Sequence, residues 1–217
     1  MKKIMIAVPC MDTVPVTFVE AMMRLKRPEG TALCFQKNSL VYDGRNLLSL
    51  KAINEEYDYV FWLDSDMVPP EDTIQMLLDD MIEYQVDMVT GLYLKRSFPP
   101  VPVLYDDVHE PTIEEGGNVS RCIREYMDYP RDRIFPVMGC GFGCVMTSVP
   151  LLRKVWDKYW PAFNPYPWAG EDVSFCHRVN QLGHMILCDS RVKCGHIGHF
   201  IYTESLLGQG GGNGGED

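Results

Sequence analysis

Tyr59-Val60-Phe61-Trp62-Leu63-Asp64-Ser65-Asp66-Met67-Val68-Pro69-Pro70 opens with five consecutive apolar or aromatic residues and stops on two aspartates one residue apart. An apolar run without polar alternation reads as a strand buried on both faces, the state of a central strand in a parallel sheet covered by helices. Asp64 and Asp66 then fall at its carboxyl end, the edge at which open α/β sheets bind ligands. Side chains at i and i+2 of an extended segment point the same way. The two carboxylates can therefore share one hard cation, or divide a metal and a sugar hydroxyl between them. Pro69-Pro70-Glu71-Asp72 predicts an immediate helix start, with proline in the first turn and acids at the positive end of the dipole. The bland alternative is that both aspartates only shape the turn and cap that helix.

Outward toward the amino terminus, residues 4–8 are an apolar strand, and Pro9-Cys10-Met11-Asp12-Thr13 is the first strand-to-helix loop, on the ligand edge. Phe18, Val19, Met22, Met23 and Leu25 keep helical spacing until Arg27-Pro28-Glu29-Gly30 breaks it. A second strand covers residues 31–36, and Asp43-Gly44-Arg45-Asn46 opens a helix carrying Leu47, Leu48, Leu50 and Ile53. Strand, helix, strand, helix, strand is the alternation of a doubly wound parallel sheet.

In the other direction, Ile74, Leu77, Leu78, Met81 and Ile82 place one helical face on the sheet, and residues 87–94 form the next strand. Lys95-Arg96 after it is either a solvated strand end or a charge contact to an anionic ligand. Residues 97–136 carry many prolines and no sustained period, which predicts loops and short strands. Gly139, Gly141 and Gly143 lie on one side of an extended segment and suggest close backbone approach by a ligand or another strand. Leu151, Leu152, Val155, Trp156 and Tyr159 form a helix. After the aromatic loop Pro165-Tyr166-Pro167-Trp168, Glu171-Asp172 begins a helix that stops at Gly183. A closing strand over residues 184–188 precedes His196 and His199.

At 217 residues the chain fits one α/β domain. The formal net charge of −10 argues against a nucleic-acid partner, which calls for a basic surface, and implies that an anionic ligand needs a metal or helix ends to offset the charge. No segment approaches the length of about 20 apolar residues needed to span a bilayer, so no integral membrane segment and a cytoplasmic, soluble protein are expected. The eight cysteines lack the spacing of zinc ribbons and read as buried free thiols.

Asp64-Ser65-Asp66, the small-residue stretch from Met138 to Met146, and Gly170-Glu171-Asp172 occur in that order. Together they resemble family 2-like glycosyltransferases of the GT-A fold across roughly residues 3–200. The resemblance implies one α/β domain of GT-A type over residues 1–203, with a central, mostly parallel sheet flanked by helices, and a flexible glycine-rich tail over 204–217. It implies transfer of a sugar, with inversion, from a UDP- or GDP-sugar to a hydroxyl of a glycan, a lipid-linked sugar or a protein. A divalent cation, Mn2+ or Mg2+, would be held by Asp66, by Asp64 directly or through water, and by a late histidine, with His196 the nearer match and His199 the fallback. Asp64 would alternatively hold the ribose, Pro9 and Asp12 would border the base, and Arg45 would lie near the uracil or phosphate. Asp172 is the candidate general base, with Glu171 positioning the acceptor. The chain departs from the family's processive synthases in lacking their Gln-x-x-Arg-Trp segment.

The chemistry agrees with the residues apart from the resemblance. A departing diphosphate needs charge neutralisation, which a carboxylate-held cation supplies, and the acceptor hydroxyl must lose a proton to a group such as a carboxylate of raised pKa. Two other functions use the same residues. A nucleotidyltransferase would share metal and sheet but calls for a glycine-rich phosphate loop after the first strand. A non-catalytic carbohydrate-binding domain would keep Tyr166 and Trp168 as a stacking platform.

Overall fold

The computed structural model describes residues 2–113, 117, 119–198 and 201–204. His199 and the glycine-rich tail from residue 205 lie outside the described residues. The first half runs β1 (Ile4–Cys10), α1 (Val16–Arg24), β2 (Thr31–Lys37), α2 (Val41–Asn54) and β3 (Tyr59–Leu63). β1 pairs parallel with β2 on one side and β3 on the other, as the alternation predicts. There follow β4 (Met67–Val68), α3 (Thr73–Glu83), β5 (Met88–Leu92), β6 (Leu104–Val108), β7 (Ile123–Glu125), β8 (Ile134–Val137), β9 (Gly139–Cys140) and β10 (Cys144–Ser148). α4 (Val149–Tyr159), α5 (Glu171–Gln181), β11 (Ile186–Lys193), β12 (Gly195–Ile197) and β13 (Ile201–Tyr202) complete the chain.

The result is a mixed α/β architecture with a central sheet flanked by helices, in the order β2-β1-β3-β10-β5-β11-β8. The sheet is not wholly parallel. β10 enters antiparallel between β3 and β5, and β8 closes the far edge antiparallel to β11. β3 is nevertheless central and apolar for the expected reason. Val60 and Trp62 belong to the core under α2, α4 and α5, whereas Phe61 and Leu63 belong to the core under α1 and α3. With both faces covered, no position of the strand tolerates a polar side chain. The indole Nε1 of Trp62 donates to Thr147 Oγ1 of β10 at 2.9 Å, so the one polar atom that β3 buries with that ring is satisfied.

Three local expectations are corrected. α3 begins at Thr73 rather than at Pro69-Pro70, because Met67–Val68 first pairs with β12 and the Pro70 carbonyl accepts from both the Thr73 amide and its hydroxyl. The glycine stretch is two strands separated by a turn, β9 and β10. Its close approach comes from Tyr93, since a Cβ at Gly141 would lie 2.0 Å from the Tyr93 hydroxyl and one at Gly143 would lie 2.9 Å from its ring. Finally, Glu204, which the sequence assigns to the tail, accepts from Tyr129 Oη at 2.9 Å and pairs with Lys193 at 2.8 Å.

Candidate functional site

The carboxyl ends of β1 and β3, the amino end of α5 and strand β12 converge on the Asp64-Ser65-Asp66 corner. The corner is a turn: the Met67 amide donates to the Asp64 carbonyl at 3.2 Å, and the Asp64 amide donates to the Gly143 carbonyl at 3.2 Å. The two carboxylates therefore do not lie side by side on an extended segment, and each has its own partners. Asp64 accepts from Arg45 Nη2 at 2.8 Å. Asp66 meets Arg96 Nη1 at 3.0 Å and His196 Nε2 at 3.4 Å.

Arg45 comes from α2 and is only 2 % exposed. Its Nη1 bonds Glu171 at the start of α5, its Nη2 bonds Asp64, and its guanidinium lies 5.3 Å from the centre of the Phe142 ring. Arg45, which the resemblance puts near the uracil or phosphate, is here a cross-link between the aspartate corner and the Glu171-Asp172 helix start. Burial works against its charge, but Asp64, Glu171 and Asp172 together outweigh that and hold its pKa above the usual arginine value. One guanidinium cannot neutralise three carboxylates. The deficit shows on the acids: burial, with the charges of Asp66 and Glu171 added, keeps Asp64 above its ordinary value despite Arg45.

Asp172 carries the same imbalance. Its Oδ1 accepts from the Val173 amide at 2.7 Å. Burial, then the neighbouring Glu171 charge, push its pKa up to about 6, against the pull of Arg45. A carboxylate so placed stays mostly ionised at neutral pH and is a better base than an exposed one. Asp66 moves the other way. Burial would raise it, but the hydrogen bond and charge of His196 and the charge of Arg96 outweigh burial and set it below its ordinary value.

Against this corner opens a cleft of about 230 Å3 lined by Pro9, Cys10 and Met11 at the end of β1, by Ser39 and Val41 before and in α2, and by Asp64, Ser65 and Asp66. Pro9 lines this cleft, while Asp12 is exposed and is not among its lining residues. Sequence reasoning missed Tyr93, which is buried behind the corner, accepts from the Gly143 amide at 3.1 Å and meets the His196 ring edge-on at 5.6 Å. The run of small residues at 139–143 is the signal for it, because a bulky ring must fill the space they vacate.

Among the described residues, no three His, Cys, Asp or Glu side chains converge on a point where they alone could hold a metal ion. Two do face each other. His196 Nδ1 lies 2.7 Å from the Leu94 carbonyl, to which it donates, and this bond turns Nε2 toward Asp66. A backbone carbonyl fixing one ring nitrogen while the other faces a carboxylate is the arrangement that supports a histidine ligand. The pair fits a cation whose remaining positions are filled by oxygens of a substrate, as is common for Mg2+-type sites.

No protein-family model and no curated protein matches the chain. Among solved structures, A197 from STIV shares the fold at 19% sequence identity and a TM-score of 0.66, over 91% of this chain and 86% of that one. GalNAc-T7, solved with UDP, GalNAc and Mn2+, shares it at 10% identity and a TM-score of 0.58 over 91% of this chain, which spans 44% of that protein. At such identities the likeness is one of fold. No helix among the described residues is long and apolar enough to cross a membrane.

Proposed function

We propose that the protein is a glycosyltransferase of GT-A architecture that moves a sugar from a nucleotide-diphosphate donor to an acceptor hydroxyl, with a divalent cation and with inversion. One observation carries the reading: Arg45 ties Asp64, at the end of the central strand, to Glu171, beside the raised Asp172. The two acidic motifs, 107 positions apart between Asp64 and Glu171, are thus joined into one cluster, of which Asp64 lines the cleft of about 230 Å3. The fold likeness to a protein solved with UDP, GalNAc and Mn2+ supports it.

In this reading Pro9, Met11, Ser39 and Val41 border the nucleoside in the cleft, and Asp64 faces its ribose. Asp66 and His196 would hold Mn2+ or Mg2+ together with diphosphate oxygens. Bound there, the cation supplies Lewis-acid neutralisation of the departing diphosphate. Arg96 is half exposed and, among the described residues, pairs with Asp66, from which it can turn toward phosphate. Asp172 accepts the proton of the acceptor hydroxyl as that oxygen attacks the sugar carbon and the bond to the diphosphate breaks. Arg45 holds Glu171 so that the start of α5 presents Asp172 to the acceptor.

The experiment is a screen of UDP- and GDP-sugars with manganese by thermal shift, followed by assay of nucleoside diphosphate release. A donor at 100 times its dissociation constant adds about 2.7 kcal/mol of stability. Slow, metal-dependent release of nucleoside diphosphate is expected. Release of pyrophosphate from a nucleoside triphosphate would make the protein a nucleotidyltransferase, and metal-independent sugar binding without turnover would make it a carbohydrate-binding domain.

A further inference from the structure

Beside α5 runs a groove that the proposed transfer step does not use. Its larger chamber, about 640 Å3, is lined by Asp106, Tyr126, Val137, Met138, Asn180 and Met185, among others. A smaller chamber of about 440 Å3 is lined by His109, Glu110, Met138, His177, Asn180 and Gln181, among others. Met138 and Asn180 border both, so the two chambers adjoin at that pair on the flank of the helix. Each volume lies within the range of about 300–1,000 Å3 typical of small-molecule sites. The end nearer the acid pair is marked by Trp168, three residues before Glu171, whose ring meets His177 edge-on at 5.3 Å and stacks on Tyr166. α5 has 11 residues, so this flank leads over about 16 Å from its carboxyl end toward Asp172.

The lining has two parts. The floor is apolar and open to solvent, with Met138 39 % and Met185 56 % exposed beside the Tyr126 ring. The rim consists of planar hydrogen-bonding side chains already fixed by the protein. Asn180 Nδ2 donates to the Met138 carbonyl at 2.7 Å, which orients its Oδ1 as an acceptor. Gln181 and His177 meet at 3.2 Å, and Asp106 accepts from Arg124 at 2.8 Å. A pyranose ring has an apolar face of C–H groups and an equatorial belt of hydroxyls, each both donor and acceptor. An apolar floor with preset planar acceptors matches both features. Among the described residues neither chamber is lined by Lys or Arg, and the Asp106 carboxylate is already paired with Arg124, so the lining offers an anionic polymer no unpaired cation. Addition of a peptide strand at the β8 edge is hindered, because Pro136 has no amide hydrogen and the Met138 amide is taken by the Tyr105 carbonyl at 2.8 Å.

We propose that this groove binds the non-reacting sugars of a neutral oligosaccharide acceptor, so that the acceptor is a glycan of several units rather than a single sugar. The proposal rests on the transferase reading for the word acceptor, but the binding itself can be measured without turnover. The full chain would be applied to an array of neutral oligosaccharides of one to six units, acidic oligosaccharides and peptides, with dissociation constants of the retained probes then measured by calorimetry. Neutral oligosaccharides should be retained, with affinity rising at least tenfold from one unit to three. Asn180→Leu and Tyr126→Ala should each weaken them about tenfold while manganese-dependent nucleotide affinity is unchanged. Should either variant fail to fold, Asn180→Ser, which removes the side-chain carbonyl acceptor while staying polar, serves in its place.

Retention of peptides or acidic glycans alone, no retention of any neutral oligosaccharide, or affinity indifferent to these substitutions would overturn the proposal. The two readings fail separately. Glycan binding without nucleotide-sugar turnover would sink the transferase, and metal-dependent donor hydrolysis without glycan binding would sink the groove.

Discussion

Asp172→Asn should make the protein more stable and less active at once, with both effects dependent on pH. The carboxyl titrates near 3.8 when exposed and at about 6 in the folded chain. Its folded pKa is raised, so the folded state binds its proton more tightly than the unfolded chain does. The associated stability is fully present below about pH 4 and is lost as pH rises through about 6. Two units at about 1.36 kcal/mol each set a ceiling near 3 kcal/mol. The side chain is only partly withdrawn from water, so screening reduces the expected effect to about 1–2 kcal/mol. Asparagine cannot ionise and keeps an Oδ1 to accept from the Val173 amide, so the variant should gain that amount at pH 8 and almost nothing at pH 4. Urea unfolding at the two pH values measures it. Transfer by the same variant should fall by roughly 10²- to 10⁴-fold, the loss expected when a positioned base is removed. Wild-type transfer should itself fall as pH drops below about 6. A stability change that is the same at both pH values, or normal turnover with a confirmed acceptor, would refute the reasoning.

Asp66→Ala should abolish manganese binding by calorimetry, and His196→Ala should weaken it, both with the fold intact by circular dichroism. Arg45→Met should cost about 3–5 kcal/mol in chemical denaturation, because it leaves buried carboxylates without their cation, and Arg45→Lys should recover only part of this since an ammonium lacks the fork that spans Asp64 and Glu171. Asp80 is buried on α3 against Asp189, and burial followed by the Asp189 contact raises its pKa well above the carboxylate range, with Arg191 opposing. Asp80→Asn should therefore stabilise the protein at alkaline pH and leave it unchanged at acid pH, and a uniform loss in thermal unfolding would contradict this. Manganese and UDP should each tighten the other by the same factor in calorimetric titrations, and UDP bound equally well in a chelator would break the charge argument.

The sequence makes the first half of the sheet legible because each strand and helix there is signalled by its own period. β1, β2 and β3 need only an apolar run, and their parallel order follows from short helical crossovers. The insertion of β10 between β3 and β5 is a long-range pairing, which no local pattern encodes. The acids of the site were legible as residue types, since charge at the end of an apolar run and two acids at a helix start are local signals. Their partners were not. Arg45 lies three and seven positions before Leu48 and Ala52, on the buried face of α2, and a charge on that face is the trace that marks it as a cross-link. Tyr93 left a fainter trace, in glycines whose missing side chains read equally well as room for a ligand.

The charge at the corner bears on how the proposed reaction could start. Asp64, Asp66, Glu171 and Asp172 face one buried arginine, one half-exposed arginine and one histidine. Two unit charges 4 Å apart interact by about 4 kcal/mol at an effective dielectric constant of 20, so a diphosphate entering unaided would meet repulsion large against ordinary binding energies. Arg45 cannot relieve it, since its charge is already committed to Asp64 and Glu171. In the proposed reaction the added positive charge would be supplied by a cation on Asp66, which would also turn the Arg96 charge from Asp66 toward the phosphates. On that proposal donor binding and metal binding would be one event rather than two. It also means that Asp172 becomes a weaker base as positive charge arrives, so its high starting pKa preserves basicity when the donor is in place.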